Sequence, residues 1–164
     1  SKRNTVIIHY DEDRGFGSRQ SIDVWWGGLQ GNGALMLILA YLLQTSLRWR
    51  GARLTVKMIV PNPGAAGTAG QNLDQLVEAT RTGATSEVIV ANGRPVDEII
   101  QSSSAGADLV FMGMAEPRPD FHHYYDQLSK RLKKMPTTAL VLSAEEMSFG
   151  DVLIEKATST DDSR

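Results

Sequence analysis

Few residues in this chain are able to do chemistry, and their spacing argues against most of the chemistry they suggest. His9 lies two positions before Asp11, so the two share a face wherever the backbone is extended, but no nucleophile or third ligand accompanies them. His122 and His123 are neighbours, whereas a helix that chelates a metal presents its ligands at i and i+4. The chain has no cysteine, which removes disulfides, zinc–thiolate sites and cysteine nucleophiles together. No Ser-His-Asp order and no working pair of carboxylates can be assigned from spacing. Asp11, Glu12 and Asp13 are most simply a solvated loop. The expectation is a protein that is not an enzyme and holds no metal and no cofactor.

Gly27, Gly28, Gly31 and Gly33 precede an apolar helix, and free N–H groups at such a place attract anions. Neither standard phosphate motif fits: no Gly-Lys-Ser or Gly-Lys-Thr follows, and Met36 stands where a third dinucleotide-loop glycine belongs. Tight turning and close backbone packing are the simpler reading. Lys130, Arg131, Lys133 and Lys134 fall in the last turns of a helix, where positive charge complements the macrodipole; phosphate or lipid contact is the alternative. Trp25 and Trp26 are adjacent and point to opposite faces of an extended segment. One belongs to the core, and the other is a candidate for an interface, where tryptophan is enriched.

The elements that position these residues follow from hydrophobic pattern. Ala34 to Leu43 is an unbroken apolar run of ten residues, followed at once by Gln44, Thr45 and Ser46. A membrane span needs about 20 apolar residues, so the run predicts the central buried helix of a soluble domain, covered on most sides. Thr5–Tyr10 is β-branched and apolar on both faces, as a central strand would be. Ile22–Trp26 is a second extended piece and a candidate hairpin partner for the first. Leu54–Val60, Glu87–Ala91, Asp108–Met114 and Thr138–Leu142 complete the strands. The Gly- and Ala-rich stretch from Pro61 to Gly70 reads as a mobile surface loop. Helices are predicted around Leu73–Val77, after Pro95 and from Phe121. Strands alternating with helices mean crossovers and a mostly parallel sheet, hence an α/β three-layer open sandwich. Residues 1–156 form one domain in this reading, and the small, polar residues 157–164 are expected to be disordered. The chain begins at Ser1, the mark of a trimmed chain or an excised fragment. Its 17 basic and 19 acidic residues, net charge −2, give no argument for nucleic acid or an anionic membrane surface.

The order of elements, and Asp108–Met114 followed by a loop and an amphipathic helix, resembles the universal stress protein fold. Ile22-Asp23-Val24-Trp25-Trp26, then glycines, then Leu35–Leu43 and Trp49-Arg50, resembles the C-terminal cytosolic domain of prokaryotic-type cation–chloride cotransporters. Asp108–Met112, Tyr125–Leu132 and Ala139–Leu142 match the closing half of that domain, and Phe149–Leu153 resembles the end of such transporters. The resemblance implies the second half of a regulatory tail at the cytoplasmic face of the plasma membrane, itself soluble. Its implied partners are the transmembrane domain and the remaining cytosolic tail of the same transporter. A homodimer is implied in the intact protein, with Trp25, Trp26 and Phe149 as interface candidates. The competing implication is a free-standing nucleotide-binding protein of the universal stress type. ATP-binding members of that family carry an aspartate after the first strand, matched by Asp11, and Gly-x2-Gly-x9-Gly-(Ser/Thr) after the fourth parallel strand. Laid on this chain, the second motif gives Gly113, Glu116, Asp126 and Gln127, so carboxylates replace two glycines and the phosphate site is expected to be lost.

Overall fold

The computed structural model describes residues 3–27, 30–116 and 119–144; Phe149 and the expected tail at 157–164 lie outside them. The elements run β1 (Thr5–His9), β2 (Ser21–Trp25), α1 (Gln30–Thr45), β3 (Arg53–Val60), α2 (Pro63–Thr80), β4 (Thr85–Val90), α3 (Val96–Ser103), β5 (Leu109–Gly113), α4 (Phe121–Leu132) and β6 (Thr138–Leu142). The six strands form one sheet in the order β1-β6-β5-β2-β3-β4, parallel throughout except for β1, which runs antiparallel to β6.

Side-chain alternation along the parallel strands sorts the core into two layers. Ile22, Val24, Leu54, Val56, Leu109 and Phe111 pack with Met36 and Leu37 of α1 and Leu73 and Val77 of α2. On the opposite face, Trp25, Val110, Met112 and Leu140 pack with Ile99 and Ile100 of α3 and Leu128 and Leu132 of α4. The architecture is an α/β three-layer open sandwich. No helix among the described residues is long and apolar enough to cross a membrane.

Three expectations change. Thr5–His9 is an edge strand and not a central one, with Val6, Ile7 and Ile8 exposed by 45, 47 and 50%. The centre belongs to β2, whose Ile22, Val24, Asp23 and Trp25 are all buried. The β1–β2 hairpin therefore does not form. The intervening loop runs along the amino end of the sheet, where Arg14 donates to the carbonyls of Ala105 and Ala107 at 2.7 and 3.1 Å.

The supposed loop from Pro61 to Gly70 is mostly the first half of α2. Asn62 caps it by accepting from the Ala65 N–H at 3.1 Å, and Pro63 fills the first turn, where its missing N–H costs nothing. The helix α1 is covered on most sides, as its apolar run predicts, with two exposed residues between Ala34 and Leu43. Met36, Leu37 and Ala40 are buried, but Tyr41 and Leu42 are 41 and 58% exposed.

Candidate functional site

From β2 onward the chain lays two strands outward on one side, β3 and β4, and then returns to the other side for β5 and β6. The order reverses between β2 and β5. In open α/β sheets this reversal leaves a crevice outside the carboxyl ends of the strands, and ligands bind there. A cavity of about 500 Å³ occupies that place, within the usual size for a small-molecule site. Trp25, Trp26 and Gly27 bring in the end of β2, and Met112 and Gly113 the end of β5. Val96 and Ile100 of α3 and Arg131 of α4 close the other side.

The crevice is largely apolar, and the charge at its wall is already engaged. Arg131 binds Asp97 through Nε at 2.6 Å and Nη2 at 2.5 Å, a clasp between α4 and the first turn of α3. Its backbone carbonyl also accepts from the Gln101 amide at 3.0 Å.

The mouth nearest the switch point is stitched by Asn32, a buried residue in the first turn of α1. Its Nδ2 donates to the Met114 carbonyl at 3.0 Å, and its Oδ1 accepts from the Ser143 N–H at 2.7 Å. One amide thereby ties α1 to the ends of β5 and β6. Gly113 allows this approach, since a Cβ there would lie 3.2 Å from Asn32 Nδ2. Gly33 has a similar role on the other side: a Cβ would collide with the indole ring of Trp26. Close packing, the simpler sequence reading of the glycine cluster, accounts for Gly33. The N–H groups that follow Gly113 are also taken, Met114 by the Val141 carbonyl at 2.8 Å and Ala115 by Tyr124 Oη at 3.0 Å.

The residues singled out from the sequence are scattered. Asp11 is not at this crevice. Because β1 is antiparallel, its carboxyl end lies beside the amino end of β6, His9 opposite Thr138, while Gly113 pairs with Val141 at the other end. Asp11 Oδ1 accepts from the N–H groups of Asp13 and Arg14 at 3.1 and 3.4 Å and so folds its own loop. Glu116 is exposed, and Asp126 and Gln127 are exposed within α4, where Gln127 Nε2 lies 3.0 Å from His123 Nε2. Of the tryptophans, Trp25 is the core residue and Trp26 the partly exposed one, at the crevice. No group of three or more metal-ligating side chains occurs among the described residues.

A second polar cluster went unread in the sequence. Lys57 Nζ lies 3.0 Å from Asp23 Oδ2, with both residues only 6% exposed. Lys57 also donates to the carbonyl and hydroxyl of Ser103 at 2.8 and 2.9 Å. Ser104 Oγ donates to Asp23 Oδ2 at 2.7 Å and accepts from Trp25 Nε1 at 3.0 Å. No fully buried side-chain polar atom among the described residues lacks a partner, and Glu87 approaches Lys57 at 3.6 Å from the solvent side. Asp23 and Lys57 each interrupt an apolar strand in the sequence, but only the register, which pairs Asp23 with Thr55 and makes Lys57 its diagonal neighbour, joins them.

At the amino end of β5, Asp108 is the other polar hub. It accepts from the N–H groups of Gln20 and Ser21 at 2.8 and 3.2 Å and from the N–H and hydroxyl of Ser18 at 3.3 and 3.1 Å. Partial burial alone would raise its pKa, but together the donors of Gln20, Ser18 and Ser21 outweigh it and hold the carboxyl below its ordinary value.

No protein-family model matches the chain, and no curated protein matches it.

Proposed function

We propose that the chain is a non-catalytic regulatory and association domain of universal-stress-like fold, the second half of the cytosolic tail of a cation–chloride cotransporter. What carries this reading is apolar surface without cover among the described residues. Val6, Ile7 and Ile8 on the edge strand are about half exposed, and Leu42 and Leu47 are 58 and 83% exposed. Free-standing domains usually blunt such an edge with charge, proline or a covering loop, whereas a module of a larger assembly has it covered by a neighbour. The motif residues that carry the resemblance agree with a structural role. Asp23 and Trp25 spend their polar atoms on Lys57 and Ser104, inside the domain.

The competing reading, a free-standing nucleotide-binding protein, has the strand order and the apolar crevice in its favour. Against it stand the N–H groups of Met114 and Ala115, which already have partners.

Two measurements separate the readings. An antibody raised against this chain should detect, in the source cells, a polypeptide far heavier than 17.9 kDa that stays with membranes until detergent is added. A soluble species of the chain's own mass overturns the transporter reading. Titration of the purified chain with Mg-ATP should give no dissociation constant tighter than about 10 μM, equivalent to roughly −7 kcal/mol; tighter binding favours the competitor.

A further inference from the structure

β1 pairs with β6 on one side only, and no strand of the described residues lies along its other side. The strand carries no charge and no proline between Thr5 and Ile8, and its three apolar residues are half exposed on both faces of the sheet. An edge of this kind is a template for another strand. We infer that the partner is a second copy of β1, joined antiparallel about a two-fold axis through Ile7, so that two sheets become one of twelve strands.

The register follows from symmetry and chemistry. In an antiparallel pair, directly opposed residues point to the same face. A two-fold axis perpendicular to the sheet keeps each side chain on its own face, so only registers that set one residue opposite its own copy are allowed. Centring on Ile7 places Val6 opposite Ile8 twice and Ile7 opposite Ile7, so every half-exposed apolar side chain meets another. The same register sets Thr5 opposite His9 and exposed Arg3 opposite Asp11, a base against an acid at both ends. Centring on Val6 would set Ile8 against Asn4 and Arg3 against His9. Centring on Ile8 would set Ile7 against His9 and Thr5 against Asp11, and Arg3 would fall opposite Asp13, inside the turn that begins at Glu12. The Ile7 register alone satisfies both the apolar and the charged residues.

The pairing also joins two grooves. Val6 and Ile8 line an apolar hollow of about 400 Å³ with Phe16, Leu39, Leu43 and Trp49. Across the two-fold axis, each copy's hollow would continue into the other. The inference supplies a surface for the association half of the proposed function and rests on that reading to that extent, but the edge and its register hold for the isolated chain.

The absence of cysteine makes the register directly testable in the purified full chain. Opposed Cα atoms in an antiparallel pair are about 4.5 or 5.5 Å apart, both within disulfide reach. Under mild oxidation Ile7→Cys should cross-link to a covalent dimer. Thr5→Cys alone should stay monomeric, and an equimolar mixture of Thr5→Cys and His9→Cys should give the mixed dimer. Circular dichroism of each variant shows that it remains folded, and Leu47→Cys, more exposed than Ile7 and off the edge, reports random collision. The inference is overturned if Ile7→Cys cross-links no faster than Leu47→Cys, or if Thr5→Cys alone cross-links as fast as Ile7→Cys. The outcome does not depend on the membrane attachment tested above, so failure of either reading is visible separately.

Discussion

Lys57→Met isolates the energetics of the buried cluster. The substitution keeps the length of the side chain and its apolar stem while removing the charge that faces Asp23 at 3.0 Å. Asp23 would keep the Ser104 hydroxyl at 2.7 Å but lose its counter-ion, and the Ser103 carbonyl and hydroxyl would lose their donor. Because both members of the pair are 6% exposed, solvent screens little of this. Removing one partner of such a pair costs about 3–5 kcal/mol. Asp23→Leu combined with Lys57→Met should recover most of the loss, since replacing a whole buried pair by apolar groups is often neutral or stabilising by about 1–4 kcal/mol. Urea unfolding with a constant m-value is the assay, read as a double-mutant cycle. A single Lys57→Met that costs under about 1 kcal/mol, the level of an exposed pair, would refute the claim that the Asp23–Lys57 pair is desolvated.

Three further outcomes are expected. Leu37→Ala should cost about 2–5 kcal/mol, because Leu37 is 1% exposed, and Leu39→Ala distinctly less, because Leu39 is only partly buried; urea midpoints decide between them. Gly33→Ala should destabilise by about 1–3 kcal/mol despite alanine's better helix propensity, because its Cβ displaces the Trp26 ring; a shift in tryptophan emission should accompany it. Asp108 has its pKa lowered in the fold, so its contribution is present above the ordinary value of 3.8 and is lost as pH falls through the folded value. Acid unfolding followed by circular dichroism should therefore show a steeper loss below about pH 4 in the parent than in Asp108→Asn.

Local pattern identified every strand of the sheet but misjudged where the first one sits. Thr5–His9 is β-branched and apolar on both faces, and an edge strand awaiting a partner carries the same residues as a buried central strand. Only the pairing of Ile7 with Leu140, 133 positions away, distinguishes the two, and no window along the chain contains it. The error over α2 was different, because its signal was local and was outweighed. Asn62 and Pro63 form a helix start, but the Gly and Ala composition that follows looks like a loop; the helix is held chiefly by Leu73 and Val77 further on. The Asp23–Lys57 pair became visible only with register, since each residue alone looks like a polar lapse in an apolar strand.

The displaced first strand also changes which residues belong to the crevice. Comparison by order along the chain puts an aspartate, Asp11, after the first strand. Comparison by topology makes β2 the first parallel strand, and Trp26-Gly27 follow it. No acid occurs between Asp23 and Asp74, so an acidic contact cannot be recovered by sliding the alignment within the segment that leads into α1. A planar ligand entering here would meet the Trp26 ring and the apolar side chains of Val96, Ile100 and Met112. Stacking on one aromatic ring supplies about 1–3 kcal/mol by analogy with base-binding proteins, far short of the roughly −8 kcal/mol of a micromolar complex. Among the described residues at the crevice, Arg131 is already held by Asp97, and the N–H groups of Met114 and Ala115 are committed to Val141 and Tyr124. Recruiting any of these three groups to a phosphate would loosen a tie between strands and helices at the carboxyl end of the sheet.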